Sequence, residues 1–301
     1  MSSGRRPARQ AGKPVTMHLR MRCLSRLISS TLLGLLTAGA LAAPAGAVVG
    51  GSKTAPERGN FLAALIDGVE GRRTVAAGQI CAATFVRADA LVTAAHCLAD
   101  EDGAGADPRD LRLFTGHVLP LRKGRLVRVR SLSTHPDFDD GAGEANADVG
   151  VIRLSAPLKG VTPIRLAAPE DSAASRPGVP LGLWGWGNRA AGDGQNFPRQ
   201  LHDGTVQRYT DARCDDLYGR YFNPASQLCA GQPDGRVDAC QGDSGGPLTA
   251  TRPDGRMILV GVVSFGEGCG RPEFPTVYTK LSRYRTYLAK ALAPRRGSDR
   301  R

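Results

Sequence analysis

Short apolar runs recur along the chain from about residue 48 onward, separated by breaks rich in Gly, Pro and Asp. The runs are Phe61–Ile66, Ala90–Ala94, Leu111–Phe114, Arg125–Val129, Val149–Leu154, Leu181–Trp184 and Ile258–Phe265. Short strands with this punctuation are typical of β-barrels and β-sandwiches. The pattern therefore predicts an all-β fold, and no internal repeat interrupts it.

Apolar residues recur at helical spacing only near the end of the chain, which predicts a C-terminal helix over about 281–292. These residues are Leu281, Tyr284, Tyr287, Leu288 and Leu292. The basic segment 294–301 that follows holds four arginines, and we expect it to be a solvated tail.

The first 47 residues have the composition of a targeting segment rather than of a fold. Residues 1–26 carry seven Lys or Arg and no acid, 27–41 are apolar or small, and Ala-x-Ala sequences follow. This pattern is typical of a secretory signal peptide, so we expect a secreted, extracellular protein. The apolar run is short for a membrane span of about 20 residues, so a signal anchor is the weaker alternative. Met17 and Met21 are alternative starts.

Charge and cysteine content narrow the function classes further. The formal net charge is +12, and the seven charges in residues 1–26 leave about +5 for the rest. This modest excess argues against a nucleic-acid partner. Besides Cys23, six cysteines remain, an even number that indicates disulfides in an exported chain, although fifteen pairings are open. Neither a Cys-x-x-Cys pair nor clustered histidines point to zinc.

Three polar residues stand in distinctive contexts, in the order His, Asp, Ser. His96 follows an apolar run and precedes a cysteine, Asp148 opens an apolar run, and Ser244 lies in Asp238–Pro247 among three glycines. A serine hydroxyl is a poor nucleophile at neutral pH. It becomes reactive when an imidazole takes its proton and a carboxylate fixes the tautomer of that imidazole. We therefore predict nucleophilic catalysis by these three residues.

The other histidines and aspartates lack comparable contexts. They are His18, His117, His135 and His202, together with Asp137, Asp139 and Asp140 as the nearest rivals of Asp148. We expect the histidines outside the signal to be ordinary surface or strand-end residues. The rival aspartates lie in a loop rich in Pro, Gly and Asp, whereas Asp148 abuts a strand that holds its backbone.

From about Val48 to about Leu292 the chain resembles the chymotrypsin/trypsin family of serine endopeptidases. The resemblance rests on the motifs around His96, Asp148 and Ser244, which occur in the family's order. It implies two six-stranded antiparallel β-barrels, the first over about 48–165 and the second over about 166–280, closed by the C-terminal helix. The active site would lie between the barrels.

The resemblance also implies a role for each residue of the site. His96 would be the general base and then the general acid, and Asp148 would orient it. Ser244 would attack the peptide carbonyl of a protein or peptide substrate to form an acyl-enzyme. The backbone N–H groups of Gly242 and Ser244 would form the oxyanion hole.

Other residues would set specificity. Asp238 would form the floor of the primary pocket and select Arg or Lys, while Ser264 and Gly266 would form the wall that pairs with the substrate backbone. Thr276 departs from the glycine that a trypsin-like pocket has at this position. Its side chain would crowd the floor and would be placed to bond Asp238, so a pocket for smaller residues is the alternative.

Activation would require a free α-ammonium on Val48 that pairs with the carboxylate of Asp243. Signal cleavage after Ala42 would leave Ala43–Ala47 as a pro-segment and the chain as a zymogen, which is the interpretation we favour. Cleavage after Ala47 would instead activate the enzyme on secretion.

The remaining implications concern disulfides, ligands and partners. The implied disulfides are Cys81–Cys97, Cys214–Cys229 and Cys240–Cys269. We expect no cofactor and no metal, because the region Gly116–Arg130, where related enzymes bind calcium, holds five basic residues and no acid. We expect a monomer without stable membrane association and with protein inhibitors as candidate partners. The alternatives are a non-catalytic binding protein on this scaffold or a membrane-anchored β-protein.

Overall fold

Two closed antiparallel β-barrels contain most of the strands in the computed structural model, which describes residues 48–67, 79–99, 105–116, 125–138, 147–189 and 196–294. A short strand, β1 (Ser52–Lys53), precedes both barrels. The strands of the first barrel are β2 (Leu62–Asp67), β3 (Gln79–Arg87), β4 (Ala90–Thr93), β5 (Leu111–Thr115), β6 (Arg125–Thr134) and β7 (Gly150–Leu154). They close in the order β2-β3-β4-β7-β6-β5.

The second barrel follows a short connecting strand, β8 (Arg165–Leu166), which pairs in parallel with β13 (Met257–Phe265). Its six strands are β9 (Pro180–Gly185), β10 (His202–Arg208), β11 (Gln227–Gly231), β12 (Pro247–Thr251), β13 (Met257–Phe265) and β14 (Val277–Lys280). Strand β9 pairs with both β10 and β12, which closes the ring. The predicted architecture of two six-stranded antiparallel barrels with a C-terminal helix is therefore confirmed.

Strand β2 explains why some apolar runs do not alternate with polar residues. Ala63 and Leu65 point into the first barrel, where Phe85 and Leu113 are also fully buried. The intervening residues of β2 belong to a second buried cluster that contains Trp184 and Trp186. Because a strand presents alternate residues to opposite faces, burial of both faces requires a continuous apolar run. Both tryptophans therefore lie in the core.

Two α-helices are present among the described residues. The first, α1 (Asp211–Tyr218), was not anticipated, because it buries only Cys214 and Tyr218 and so lacks an apolar stripe. The sequence does carry residues typical of helix ends. The Thr210 hydroxyl caps the N-terminus by accepting a hydrogen bond from the Arg213 amide at 3.1 Å, and Gly219 ends the helix at φ 53°.

The C-terminal helix α2 (Arg285–Ala291) is preceded by a 3₁₀ turn over Leu281–Tyr284, so the α-helix is shorter than the predicted 281–292. It follows the second barrel in the chain but also contacts the first. The Tyr287 hydroxyl donates to the Ser133 carbonyl at 2.6 Å, and Arg153 donates to the Ala293 carbonyl.

The segment that begins at Val48 packs with the second barrel, which differs from the predicted first-barrel boundary. Strand β1 pairs with β10 through Ser52 and Asp203. The Val48 side chain is completely buried in the apolar cluster of the second barrel. The first barrel therefore starts only at β2.

Three disulfides link the six cysteines of the described chain. They are Cys81–Cys97, Cys214–Cys229 and Cys240–Cys269, the pairing that the resemblance implies. Within the described ranges no helix is both long and apolar enough to cross a membrane. The predicted signal segment 1–47, His117, most of the basic tail and part of Gly116–Arg130 lie outside the described residues.

Leu113→Ala should lower the free energy of unfolding by about 2–5 kcal/mol, because it leaves a cavity inside the first barrel. Leu113 is completely buried, whereas Leu126 is 39% exposed. The control Leu126→Ala makes the same chemical change at the surface and should shift stability by about 0.5 kcal/mol or less. Denaturant unfolding of both variants measures the difference, and equal losses would contradict the assigned core.

Candidate active site

Paired strands of the first barrel bring His96 and Asp148 together. His96 opens a 3₁₀ turn shortly after β4, and Asp148 stands shortly before β7; β4 and β7 pair through Thr93 and Gly150. The Nδ1 atom of His96 lies 2.9 Å from Oδ2 of Asp148, and the His96 amide donates to Oδ1 at 3.0 Å. The carboxylate thus fixes both the ring and the backbone of His96.

The Asp148 carboxylate is buried and receives donors from both barrels. The Ser264 hydroxyl donates to Oδ2 at 2.5 Å, and the Thr279 hydroxyl donates to the Asp148 carbonyl at 2.7 Å. Burial alone would raise the pKa of Asp148, but the charge of His96 and the hydrogen bonds from His96 and Ser264 outweigh it and lower this pKa. Asp148 is therefore held ionised opposite the imidazole.

The rival aspartates do not share this position. Asp137 lies 3.9 Å from His135, whose ring packs edge-on against Tyr284 and Tyr287. Asp139 and Asp140 fall outside the described residues. His202 is buried at the start of β10, and its Nδ1 lies 2.8 Å from the Gln200 carbonyl.

A glycine turn presents Ser244 beside the strands that carry His96. The Ala82 amide of β3 donates to the Ser244 carbonyl at 2.7 Å. A Cβ atom on Gly245 would lie 2.1 Å from the Thr93 hydroxyl and 3.0 Å from the Ala94 amide nitrogen. Because Gly245 also has φ 71°, only glycine permits this approach. Ser244 is therefore anchored next to the residues that precede His96.

A cavity of about 220 Å³ opens beside Ser244. Its lining includes both cysteines of the Cys240–Cys269 disulfide. It also includes three predicted pocket residues, Ser264, Gly266 and Thr276. The Ser264 hydroxyl is directed to Asp148, so this serine contributes to the cavity wall and also to the His96–Asp148 pair.

Asp238 lies behind this cavity and is not among its lining residues. Its side chain is buried; Oδ1 accepts a hydrogen bond from the Thr276 hydroxyl at 2.6 Å, and Oδ2 accepts one from the Gly270 amide at 2.9 Å. Burial raises the pKa of Asp238, although these hydrogen bonds partly oppose the shift. Thr276 therefore stands between the cavity and the carboxylate.

Asp243 is completely buried beneath the glycine turn. Its carboxylate accepts hydrogen bonds from the Gly187 amide at 2.8 Å and the Cys240 amide at 3.0 Å. A Cβ atom on Gly185 or Gly187 would lie 1.9 or 2.4 Å from this carboxylate, so both positions require glycine. Burial raises the pKa of Asp243 to about 7, because these two amides do not fully replace water.

Val48 is held in an unusual conformation for a β-branched residue. Its φ is 59°, in the left-handed region that such residues rarely adopt. Gly50, at φ 68°, approaches the Arg236 carbonyl so closely that a Cβ there would lie 1.8 Å from the oxygen. The strained backbone at Val48 directly follows the predicted cleavage position.

One cluster has the residue types of a metal site. The potential ligand atoms of Cys81, His96 and Cys97 lie within 4.8 Å of one another. The two cysteines form a disulfide with each other, so neither offers a thiolate. This cluster therefore gives no support for a metal centre.

Several contacts of the site were not read from the sequence. The hydroxyl bonds of Ser264 and Thr279 to Asp148 join strands far apart in the chain, and nothing local signals them. The alternation Trp184-Gly185-Trp186-Gly187 was a readable signal, because isolated glycines in a strand mark a close approach of other groups.

The family model for trypsin matches residues 48–288, most of the chain. The chain belongs to the trypsin family. It is 35% identical over 246 residues to a trypsin of Saccharopolyspora erythraea, covering 81% of this chain and 98% of that protein. It is 37% identical over 210 residues to a vitellin-degrading protease of Bombyx mori, covering 69% and 74% of the two chains.

A solved structure is also similar in fold and sequence. It is that of neuropsin, a serine protease expressed in the limbic system of mouse brain, with a TM-score of 0.68 and 28% identity over 82% of this chain and all of that chain. The protein is therefore a trypsin-like serine endopeptidase, as the sequence predicted.

Asp243 should make stability depend on pH while the bond before Val48 is intact. Its pKa is about 7 in the fold against 3.8 for an ordinary aspartate, so its contribution to stability is complete below pH 4 and is lost as pH rises through 7. Each pKa unit corresponds to about 1.4 kcal/mol, so the loss amounts to about 4 kcal/mol.

Denaturant unfolding from pH 4 to 8 measures this effect against Asp243→Asn, which cannot ionise. The free energy of unfolding of the parent chain should fall relative to that of the variant as pH rises. Parallel curves for the two proteins would contradict the raised pKa.

Proposed function

We propose that the protein hydrolyses peptide bonds through a triad of His96, Asp148 and Ser244. His96 takes the proton of the Ser244 hydroxyl as that oxygen attacks the carbonyl carbon, and then gives it to the leaving amine. Water, activated by the same imidazole, hydrolyses the acyl-enzyme. The observation that carries this proposal is the 2.9 Å contact between His96 and the buried, ionised Asp148.

The backbone N–H groups of Gly242 and Ser244 form the oxyanion hole in this proposal. Gly242 has φ 91°, a conformation that glycine adopts readily and that other residues rarely do. The Asp243 amide donates a hydrogen bond to the Cys240 carbonyl at 2.9 Å, and this bond fixes the turn between the two residues. Preorganised amides of this kind stabilise the negative charge of the tetrahedral intermediate.

For specificity, we propose cleavage after a cationic residue. The support is the position of Asp238, the buried acid directly behind the cavity beside Ser244. A cation in the cavity would compensate a carboxylate that burial otherwise penalises. Preference for a smaller residue is the alternative, because Thr276 lines the cavity and its hydroxyl bonds Asp238.

We further propose that the enzyme is secreted as a zymogen and acts as a monomer on protein or peptide substrates, with protein inhibitors as candidate partners. Cleavage before Val48 would release its strained backbone and provide an α-ammonium for Asp243. The new ion pair would then support the turn that carries the oxyanion hole.

Ser244→Ala should lower kcat/KM by about 10⁴-fold or more, because the nucleophile is lost. The assay is hydrolysis of a peptide panel varied only before the scissile bond, with the 48–301 form. Ser282→Ala, an exposed serine of the 3₁₀ turn before α2, is the matched control and should retain activity. Wild type as inert as Ser244→Ala on every peptide would instead indicate a non-catalytic binding protein.

Activity should also depend on the residue that begins the chain. A form beginning at Val48 should exceed a form beginning at Ala43 by about 100-fold or more in kcat/KM, because an unpaired buried charge costs several kcal/mol. Asp243→Asn in the form beginning at Val48 should remove most of this gain. Equal activity of the two forms, measured after N-terminal sequencing, would exclude activation by this ion pair.

A further inference from the structure

We propose that Thr276 makes the primary pocket select lysine over arginine before the scissile bond. This inference rests on the proposed cleavage after cationic residues and names the cation. It follows from three features of the site: the Thr276 hydroxyl bond to Asp238, the absence of Asp238 from the cavity lining, and the presence of Thr276 in that lining.

Both oxygens of the Asp238 carboxylate already have protein donors. The Thr276 hydroxyl donates to Oδ1 at 2.6 Å and the Gly270 amide donates to Oδ2 at 2.9 Å. Asp238 as a whole residue is only 2% exposed. A substrate cation therefore meets the threonine oxygen before it can meet the acid.

Arginine is poorly suited to this floor. A guanidinium binds a carboxylate best through two parallel N–H···O bonds, which require both oxygens to face it in one plane. Here Thr276 covers the approach to one of them, Oδ1 of Asp238. The arginine side chain is also one bond longer than lysine and ends in a wider planar group, so its guanidinium would press against the Thr276 side chain.

Lysine fits the same floor. The Thr276 hydroxyl donates its hydrogen bond to Asp238. The lone pairs of its oxygen can therefore accept a hydrogen bond from a group in the cavity. An ammonium is a compact point charge with three freely directed donors. One donor can bond the threonine oxygen, and the charge of Asp238 acts on the ammonium through this single intervening hydroxyl.

With Thr276 in place, the substrate cation contacts the threonine hydroxyl, which is itself hydrogen-bonded to Asp238, and does not contact the carboxylate directly. The threonine hydroxyl keeps Asp238 hydrogen-bonded and presents a neutral acceptor at a shallower depth. The methyl group of Thr276 narrows the same space. Replacing the hydroxyl and replacing the bulk should therefore have different and separable effects on specificity.

The test compares kcat/KM for two peptides that differ only in Lys or Arg before the scissile bond. Wild type should prefer Lys by about tenfold or more, since the lost bidentate contact is worth at least this factor. Thr276→Gly opens the path to Asp238 and should bring the Lys/Arg ratio to about one or below. Thr276→Ser keeps the hydroxyl and should keep a Lys preference.

Thr276→Val keeps the bulk but removes the hydroxyl, so Asp238 loses a donor and the ammonium loses its acceptor. Both peptides should then be cleaved more slowly, while Thr276→Ser remains active. Inhibition by butylamine and by butylguanidine provides an independent binding measurement, and their Ki ratio should follow the kcat/KM ratio across the variants. Thermal unfolding of each variant verifies that it is folded.

The outcomes separate this inference from the proposed function. Cleavage of both peptides by wild type with Arg equal to or preferred over Lys would overturn the role of Thr276 and leave the cationic specificity intact. Hydrolysis that depends on Ser244 but acts only on peptides with small residues would overturn the cationic specificity, and the role of Thr276 with it. A Lys preference unchanged in Thr276→Gly would overturn the inference alone.

Discussion

The interaction on which the rest of the site depends is the buried carboxylate of Asp148. It comes from the first barrel, yet the Ser264 hydroxyl of the second barrel donates to it, and the Thr279 hydroxyl of the same barrel donates to the backbone carbonyl of Asp148. His96, again from the first barrel, completes the set. A buried charge is tolerated only when such donors surround it, so the two barrels must associate to satisfy Asp148. The same association brings the Ser244 turn next to β3.

Three of the buried aspartates, Asp148 before β7 of the first barrel and Asp238 and Asp243 of the second, show how the surroundings of one residue type adapt it to different tasks. A charge and several donors keep the pKa of Asp148 low, whereas burial raises the pKa of Asp238 and raises that of Asp243 to about 7. The first suits a group that must stay ionised beside an imidazole. The other two suit groups that gain most when a cation arrives.

Much of the architecture was predictable from the sequence, because short apolar runs and the motifs around His96, Asp148 and Ser244 are local signals. The runs predicted an all-β fold, and the two six-stranded barrels that the family resemblance implied are confirmed by the strand pairing. Helix α1 was missed because two turns with two buried residues leave no apolar stripe. The packing of Val48 against the second barrel, and the Ser264 contact with Asp148, depend on how distant strands meet, which no local pattern records.

The N-terminal end of the described chain packs on the second barrel, and the C-terminal end packs on the first. Strand β1 adds to β10 of the second barrel, and the residues around α2 bond Ser133 and Arg153 of the first. Each barrel is therefore held by a segment from the opposite end of the chain, and neither barrel can unfold without breaking its contacts with that segment. Such a connection makes the two halves a single cooperative unit, in which the cleft between them keeps its shape because both halves are tied across it.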